Sequence, residues 1–206
     1  MTNIEVIANF EREINKINDA VNKPATEDSL FWLNQGIAKF TKLRFNGDFV
    51  HKTGYEQTEK RRHDLISLFK TLSFNSVTNS ETHSNYDVYT INYPADFLYA
   101  LNEDVIIDST EGGHEMDTCV FECTQDSFMY RINNSLTDFH YKYHRARPLR
   151  IRTRNGFRLL TDKNYKIYSY TLGYIKVPEE ITDQSIDYEY KDFDDHIWLE
   201  ITKIAA

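Results

Sequence analysis

Apolar residues in the first part of the chain recur every three or four positions, with charged and polar residues between them. One such stripe predicts a helix over residues 4–22, and a second predicts a helix over residues 27–44. The segment 53–56, Thr-Gly-Tyr-Glu, has the spacing of a capping box and predicts a third helix that continues to about Leu72. Residues 1–74 are therefore predicted to form a helical layer.

The pattern changes after a stretch rich in Ser, Thr and Asn at residues 75–85, which predicts a loop. Beyond it apolar and polar residues alternate, as is typical of strands, so residues 86–178 are predicted to be mainly β. The Asn155-Gly156 dipeptide predicts a two-residue hairpin turn between two of these strands. The predicted strands cover residues 86–91, 105–107, 117–123, 149–154, 157–160 and 165–177.

Three further helices are predicted in the second part of the chain. Pro94 suits the first turn of a short helix over residues 94–102, and residues 126–136 also have a helical pattern. A last helix is predicted over residues 192–206. Its apolar stripe consists of Ile197, Trp198, Ile201 and Ile204.

Together these elements predict an α+β fold, with an N-terminal helical layer packed on a mostly antiparallel β-sheet and closed by the C-terminal helix. Residues 1–206 are expected to form a single unit. An isolated helix as short as the last one is marginal in water. We therefore expect it to dock against the N-terminal helices through Trp198 and Ile201.

The chain has 206 residues, with 14 Tyr, 13 Phe and a net charge of −8. The aromatic excess suits surfaces that become interfaces, although a biased codon composition would produce the same excess. The net acidity argues against a protein that coats DNA non-specifically, since such binding depends on neutralising phosphates, but it allows a local basic patch. No apolar run reaches the roughly 18 residues of a membrane span, and the N-terminus lacks the features of a signal peptide.

Candidate catalytic and metal-binding residues are few. His140 and His144 have the spacing of two ligands on one helix face, but HExxH is absent and the neighbouring cations would repel a metal. Cys119 and Cys123 lie roughly 13 Å apart if their segment is a strand, so both are expected to be reduced. No nucleophile elbow, phosphate-binding loop or dinucleotide motif is present. We therefore expect no enzyme activity and no cofactor, with a hydrolase of unidentified acidic residues as the alternative.

A basic segment stands out against this acidic whole, since residues 142–158 carry seven cations and no acid. Within it Arg150, Arg152 and Arg154 alternate along a predicted strand, so they are expected to share one solvated face. Such a row can protect a sheet edge, contact phosphate or meet an acidic surface on another chain.

The end of the chain supplies an acidic surface. Residues 179–206 contain nine acids, among them Asp192, Asp194 and Asp195, against two lysines. A basic middle and an acidic end allow head-to-tail pairing between copies, which closes into a ring when the rotation per subunit divides the circle. Pairing of the same segments within one chain is equally compatible with the sequence.

Six segments, in order along most of the chain, carry a recognisable pattern. They are DSLFWLNQG at 28–36, YPADFLY at 93–99, DSFMYRINN at 126–134, RPLRI at 147–151, YTLGYIKVP at 170–178 and HIWLEI at 196–201. Together they resemble the head-to-tail connector and portal-adjacent ring proteins of crAss-like tailed bacteriophages. Val177 departs from that pattern, which often has a basic residue there. The resemblance implies an α+β virion protein that forms a ring below the portal, with twelvefold symmetry, and it implies no catalytic residues.

The predicted function is therefore a multimeric ring or adaptor in the portal–tail assembly, stacked around the DNA channel. The expected partners are other copies of the chain, the portal protein and other ring or tail proteins, within a virion assembled in the bacterial cytoplasm. The loop at 75–85 is expected to reach a neighbouring subunit, anchored by Phe74 and Tyr86. The alternatives are a nucleic-acid-contacting accessory protein that uses residues 142–158, and a phage hydrolase.

Overall fold

The computed structural model describes residues 1–17, 25–46, 55–110, 115–183 and 187–206. The helices are α1 Asn3–Ile17, α2 Thr26–Asn46, α3 Tyr55–Asp64, α4 Phe128–Asn133 and α5 Asp195–Ala205, and a 3-10 turn covers Ile66–Leu68. The strands are β1 Phe69–Phe74, β2 Glu81–Thr82, β3 Asp87–Asn92, β4 Phe97–Ser109, β5 Glu115–Cys119, β6 Phe121–Glu122, β7 Leu149–Arg152, β8 Gly156–Thr161 and β9 Tyr165–Lys176. The α+β class and the closing C-terminal helix predicted from the sequence are confirmed.

The contacts divide the chain into two compact units. The helical unit consists of Met1–Phe69 together with Val177–Ala206, and the β unit consists of Lys70–Lys176. The single unit over residues 1–206 stays a prediction.

The helical unit is organised around the apolar stripes that the sequence pattern predicts. Leu33 and Phe40 of α2 and Phe10 of α1 are almost completely buried, whereas the polar residues between them are exposed. Helix α5 packs against both α1 and α2, with Trp198 and Ile201 buried. Burial of this stripe supplies the stability that a short isolated helix lacks.

Gly36 allows the close approach of α2 and α5. A Cβ atom at this position would lie 2.8 Å from the Cβ atom of Ala205 and 3.1 Å from the carbonyl oxygen of Ile201. Both distances are shorter than ordinary van der Waals contact between heavy atoms. The two helices therefore cross where neither carries a bulky side chain.

The β unit contains two sheets. In the first sheet the strand order is β1-β9-β4-β5, and in the second it is β2-β3-β8-β7-β6. The pairs β2–β3, β3–β8, β7–β8, β4–β5 and β4–β9 are antiparallel, whereas β6 pairs with β7 in parallel. The predicted antiparallel arrangement is thus confirmed, but it is distributed over two sheets.

Both sheets contribute to one buried aromatic and aliphatic cluster, which forms the core between them. Its members include Tyr89, Ile91, Phe157 and Leu159 from the second sheet and Val105, Ile107, Tyr170 and Leu172 from the first. Side chains that point to the opposite face of the second sheet form another buried cluster, together with Ile132 of α4 and Phe139. The central strands of the second sheet are therefore covered on both faces.

One predicted helix is wrong, and another is shorter than predicted. Residues 97–102 belong to β4, which pairs with β9 from Phe97 to Ser109 through three register shifts. The third predicted helix ends at Asp64, well before its predicted end near Leu72, and Phe69 and Leu72 lie in β1, beside β9. Pairing with a long neighbouring strand overrides the local helical pattern in both segments. The predicted capping box at 53–56 and the end of the first helix after Ile17 lie outside the described residues.

The predicted hairpin turn is present but displaced by one residue. The Thr153 amide donates a hydrogen bond of 2.9 Å to the Gly156 carbonyl, so Arg154 and Asn155 are the central residues. A Cβ atom at Gly156 would lie 1.9 Å from the Ile91 carbonyl oxygen on β3. Glycine is required here because β3 approaches its backbone so closely.

The stretch at 75–85 is a loop only in part. Within it β2 pairs with β3, and the Ser80 amide donates to the Val88 carbonyl at 2.8 Å. The His83 amide donates to the Tyr86 carbonyl at 2.9 Å and closes the turn between these strands.

Candidate assembly surfaces

Arg150 lies between the two sheets. Its Nη1 atom is 2.9 Å from Oε1 of Glu103 on β4, and its Nη2 atom is 2.7 Å from Oε1 of Glu122 on β6. Its guanidinium carbon lies 4.8 Å from the centre of the Phe157 ring. The prediction that Arg150 belongs to a solvated row is wrong, because Glu103 of the first sheet and Glu122 on β6 contact its side chain, which is only 7% exposed.

The charges around Arg150 are matched within the chain. The Tyr170 hydroxyl donates a hydrogen bond of 2.8 Å to the same Glu103 oxygen. Burial alone would lower the pKa of Arg150, but the Glu103 and Glu122 carboxylates raise it overall. Burial and then the nearby Glu103 raise the pKa of the Tyr170 phenol far above its usual range. Arg150 is therefore a charged part of the core, and its partners Glu103 and Glu122 belong to its own unit.

The remaining cations of the basic segment differ in their surroundings. Arg158 forms an ion pair of 2.8 Å with Glu81, and Arg147 lies 3.9 Å from Asp138. Lys142 donates to the Ser135 carbonyl. Three exposed arginines form no ion pair with any residue that the structure describes, and these are Arg145, Arg152 and Arg154. The interface role of Arg152 and Arg154 stays a prediction.

A tight turn near the start of this segment carries an exposed aromatic side chain. The Lys142 and Arg145 main chains exchange hydrogen bonds of 3.0 and 2.9 Å, and the residues between them, Tyr143 and His144, have φ angles of 49° and 59°. Such turns favour Asn and Gly, since left-handed backbone costs other residues about 1–3 kcal/mol each. Tyr143 is 93% exposed. We call residues 142–145 the Tyr143 turn.

A cleft of about 730 Å³ lies beside the Tyr143 turn. Leu136, which is 86% exposed, lines it together with Tyr143. The charged residues in its lining are Asp117, Asp138, Lys142, Arg145 and Arg147. This region therefore combines exposed apolar side chains with a small excess of positive charge.

The two histidines that the sequence singled out do not share a helix face, because the segment between them is a turn. Nε2 of His140 lies 2.9 Å from the Ile132 carbonyl oxygen, and its Nδ1 lies 3.6 Å from Oδ2 of Asp162. The Tyr141 hydroxyl lies 3.3 Å from Nδ1 of His144. Within the described ranges no three His, Cys, Asp or Glu side chains form a group that could hold a metal ion.

The two cysteines occupy different environments. Cys119 is exposed at the end of β5, whereas Cys123 is buried, and both are free thiols. The Cys123 sulfur lies 3.1 Å from the Ser127 hydroxyl.

The acidic residues of the C-terminal segment are partly engaged inside the helical unit. Asp192 is buried, and its Oδ2 atom accepts a hydrogen bond of 2.7 Å from the Glu179 amide. Asp195 lies 2.8 Å from the N-terminal amino group of Met1. Asp194 precedes α5 and is exposed. Of the three acids named from the sequence, Asp194 is exposed and forms no ion pair with a residue that the structure describes.

The aromatic candidates all have packing partners within their own unit. Phe74 lies 6.2 Å from the Tyr170 ring. Tyr86 stacks on His83 at 4.4 Å and lies edge-on to Phe128. The buried Trp198 ring contacts Phe193 at 5.6 Å, and Ile201 is buried on the same helix. Their role in contacts with other subunits stays a prediction.

An apolar groove on the helical unit was not identified from the sequence. Phe31 and Trp32 on α2 are 56% and 53% exposed, and their rings contact each other edge-on at 5.4 Å. The groove measures about 580 Å³ and is also lined by Gln35, Lys39, Ile204, Ala205 and Ala206. The sequence contains the signal, because Trp32 lies off the buried stripe of its helix. We call it the Phe31–Trp32 groove.

None of the helices in the described part of the chain is both long and apolar enough to cross a lipid bilayer. A comparison with curated proteins gives no significant match. The sequence does match the family described as phage tail ring protein 3/4, over residues 1–187. That match covers α1 to α4 and every described strand, while α5 lies beyond it. The chain therefore belongs to the phage tail ring protein 3/4 family of crAss-like phages.

Proposed function

We propose that the chain is a virion structural protein that forms a homo-oligomeric ring in the portal–tail assembly of a tailed phage. The observation that carries this proposal is membership of a tail ring family, matched over residues 1–187. In the proposed arrangement the rings stack below the portal around a central DNA channel, with twelve subunits in each ring. Assembly takes place in the host cytoplasm, and the role is structural and non-catalytic.

The surfaces of the chain support assembly through different patches. A ring needs heterologous contacts, in which one patch of a subunit meets a different patch of the next. The β unit exposes the Tyr143 turn and three arginines without carboxylate partners among the described residues, and the helical unit exposes the Phe31–Trp32 groove. Exposed Tyr, Trp and Arg side chains are the types most enriched at interface centres.

The direct test is the mass and symmetry of the assembled protein. Purified chain, alone and mixed with the phage portal protein, is analysed by light scattering after size exclusion and by electron microscopy. The proposal predicts a closed ring that binds the portal or a neighbouring tail protein. The proposal would be overturned if the chain remains monomeric both alone and with the portal protein, and is absent from purified virions.

A second candidate function, contact with nucleic acid, is favoured by the exposed guanidinium groups of Arg145, Arg152 and Arg154. Phosphate contacts make affinity fall steeply with salt, with a slope that reflects the number of phosphates neutralised. This function predicts DNA binding that weakens when these arginines are replaced by glutamine. Binding that is equal in the parent and the triple variant would count against it.

A further inference from the structure

Two exposed surfaces, on different units of the chain, both carry aromatic and apolar side chains. The Tyr143 turn projects an almost fully exposed tyrosine, with Leu136 lining the same cleft. The Phe31–Trp32 groove is concave and is lined mainly by aromatic and small apolar side chains. Exposed apolar patches of this kind mark interaction sites more often than isolated surface residues do.

The charges beside the two surfaces are of opposite sign. Lys142 and Arg145 flank Tyr143 at the two ends of its turn. Glu27 and Asp28 lie in the first turn of α2, one helical turn before Phe31 and Trp32. Residues three or four positions apart lie on the same side of a helix, so both carboxylates border this end of the groove.

The flanking charges are available for a partner. Arg145, Glu27 and Asp28 are exposed, and none of them forms an ion pair with a residue that the structure describes. Lys39, the lysine in the groove lining, lies about two helical turns beyond Phe31. The end of the groove beside Glu27 and Asp28 therefore carries negative charge. Charge complementarity thus accompanies apolar complementarity between the turn and the groove.

The backbone of the Tyr143 turn also points to a contact. Tyr143 occupies a left-handed conformation that is unfavourable for a bulky side chain. Such strain recurs at positions where it serves a function, and here it presents a large aromatic ring to solvent. Tyrosine provides a large contact area at low entropic cost when it enters a partner's groove.

We infer that the Tyr143 turn of one subunit docks into the Phe31–Trp32 groove of a second copy of this chain. Lys142 and Arg145 face Glu27 and Asp28 across this contact. Because the turn and the groove are different surfaces, the contact is heterologous and repeats from subunit to subunit, as a ring requires. The inference rests on the proposed ring and names the surfaces that build it.

The first test removes the aromatic contacts from the full chain. Tyr143→Asn deletes the ring while placing a residue that tolerates left-handed backbone, so the turn itself is retained. Trp32→Ala removes one of the two aromatic rings that line the groove. Each variant is expected to weaken subunit association at least tenfold in sedimentation experiments. The matched control is Tyr130→Ala, which removes a tyrosine that is 73% exposed on α4 and is expected to leave association unchanged.

The second test exchanges the charges. Reversal of Lys142 and Arg145 to Glu is expected to weaken association, and so is reversal of Glu27 and Asp28 to Lys. In a mixture of the two reversed proteins every contact between unlike subunits is matched in charge, so association should recover in the mixture, and the fourfold variant restores matched contacts within a single protein. Association of the fourfold variant that is no stronger than that of either parent reversal would overturn the pairing.

The outcomes separate this inference from the proposed function. If the wild-type chain forms rings and the Tyr143→Asn and Trp32→Ala variants form them with equal affinity, the inference fails and the ring function stands. If the Tyr143→Cys, Trp32→Cys double variant cross-links to another virion protein instead of to a second copy, the inference also fails. A wild-type chain that never assembles, alone or with tail proteins, overturns both.

Discussion

Arg150 and Glu103 form an ion pair that joins the two sheets of the β unit. The atoms Nη1 and Oε1 are 2.9 Å apart, and the two side chains are only 7% and 9% exposed. Removing one member of a buried pair leaves an uncompensated charge in the core, which costs about 3–5 kcal/mol. The pair therefore adds a buried charged contact to the apolar core between the two sheets.

Replacing Arg150 by Met is expected to lower the free energy of unfolding by about 3–5 kcal/mol, because Glu103 stays buried without its partner. The measurement is chemical denaturation of the purified chain. Arg152→Met is the control, since Arg152 is exposed and its loss should change stability by no more than about 0.5 kcal/mol. The double variant with Glu103→Leu removes both charges and should recover part of the loss. Equal stabilities of the two single variants would contradict the buried pair.

The contact between Arg152, Arg154 and a neighbouring subunit remains testable without disturbing the core. Changing both residues to Glu is expected to leave the fold intact, because both side chains are exposed. If they meet an acidic surface, assembly weakens measurably only in the double variant, since exposed ion pairs contribute about 0–1 kcal/mol each. Light scattering across a concentration series measures the effect. Assembly that matches the parent chain would show that these arginines are not at the interface.

The two tryptophans of the chain provide a matched comparison. Trp198 of α5 is buried against the Tyr190 and Phe193 rings, and Trp198→Ala is expected to cost about 3–5 kcal/mol of unfolding free energy. Trp32→Ala removes a half-exposed ring and should cost less than about 1 kcal/mol in the isolated chain. Thermal unfolding of both variants tests the difference. Similar midpoints would mean that the Trp198 indole is not in the core.

Gly156→Ala is expected to prevent correct pairing of β3 with β8, because the new Cβ atom would lie 1.9 Å from the Ile91 carbonyl oxygen. The atoms that this Cβ atom would meet belong to the backbone of β3, so the contact can be relieved only if the backbone moves. Asn155→Ala, one residue earlier in the exposed turn, serves as the control. Circular dichroism and thermal unfolding report the result, and a Gly156→Ala protein as stable as the control would contradict the close approach.

A surface carboxylate gives a pH-dependent prediction. The hydrogen bond from Lys70 Nζ, 2.6 Å from Oδ2 of Asp96, lowers the pKa of Asp96 below its ordinary value of 3.8. The pKa of Asp96 is therefore lower in the folded protein than in the unfolded chain. The Lys70–Asp96 interaction contributes its full stability above the unfolded pKa, and this contribution is lost as the pH falls through the folded pKa.

Replacing Lys70 by Met is therefore expected to raise the pKa of Asp96, measured by NMR titration of the carboxyl group. The stability difference between the parent and this variant should narrow as the pH drops below about 4. Lys166→Met removes an exposed lysine elsewhere on the β unit and should leave the Asp96 titration unchanged. An unaltered Asp96 pKa in the Lys70 variant would exclude the proposed cause.

The amino-acid sequence by itself determined the elements whose apolar residues follow a clear period. The stripes through Leu33, Phe40 and Ile201 predicted α2 and α5, because a helix that buries one face must repeat its apolar residues every 3.6 positions. The alternation in β3, β8 and β9 predicted those strands in the same way. The ordered family segments also predicted a ring protein, and the family match over residues 1–187 agrees with that interpretation.

Only the tertiary structure decided where each strand face points. The alternation of Arg150, Arg152 and Arg154 predicted a shared face, but it carried no information that the first sheet, through Glu103 on β4, covers this face at Arg150. Residues 97–102 became part of β4 because β9 offers backbone partners along that length. Strand pairing and burial on both faces depend on residues that are distant in the chain. A local pattern therefore predicts whether a segment is a helix or a strand, but it does not predict which elements pack against that segment.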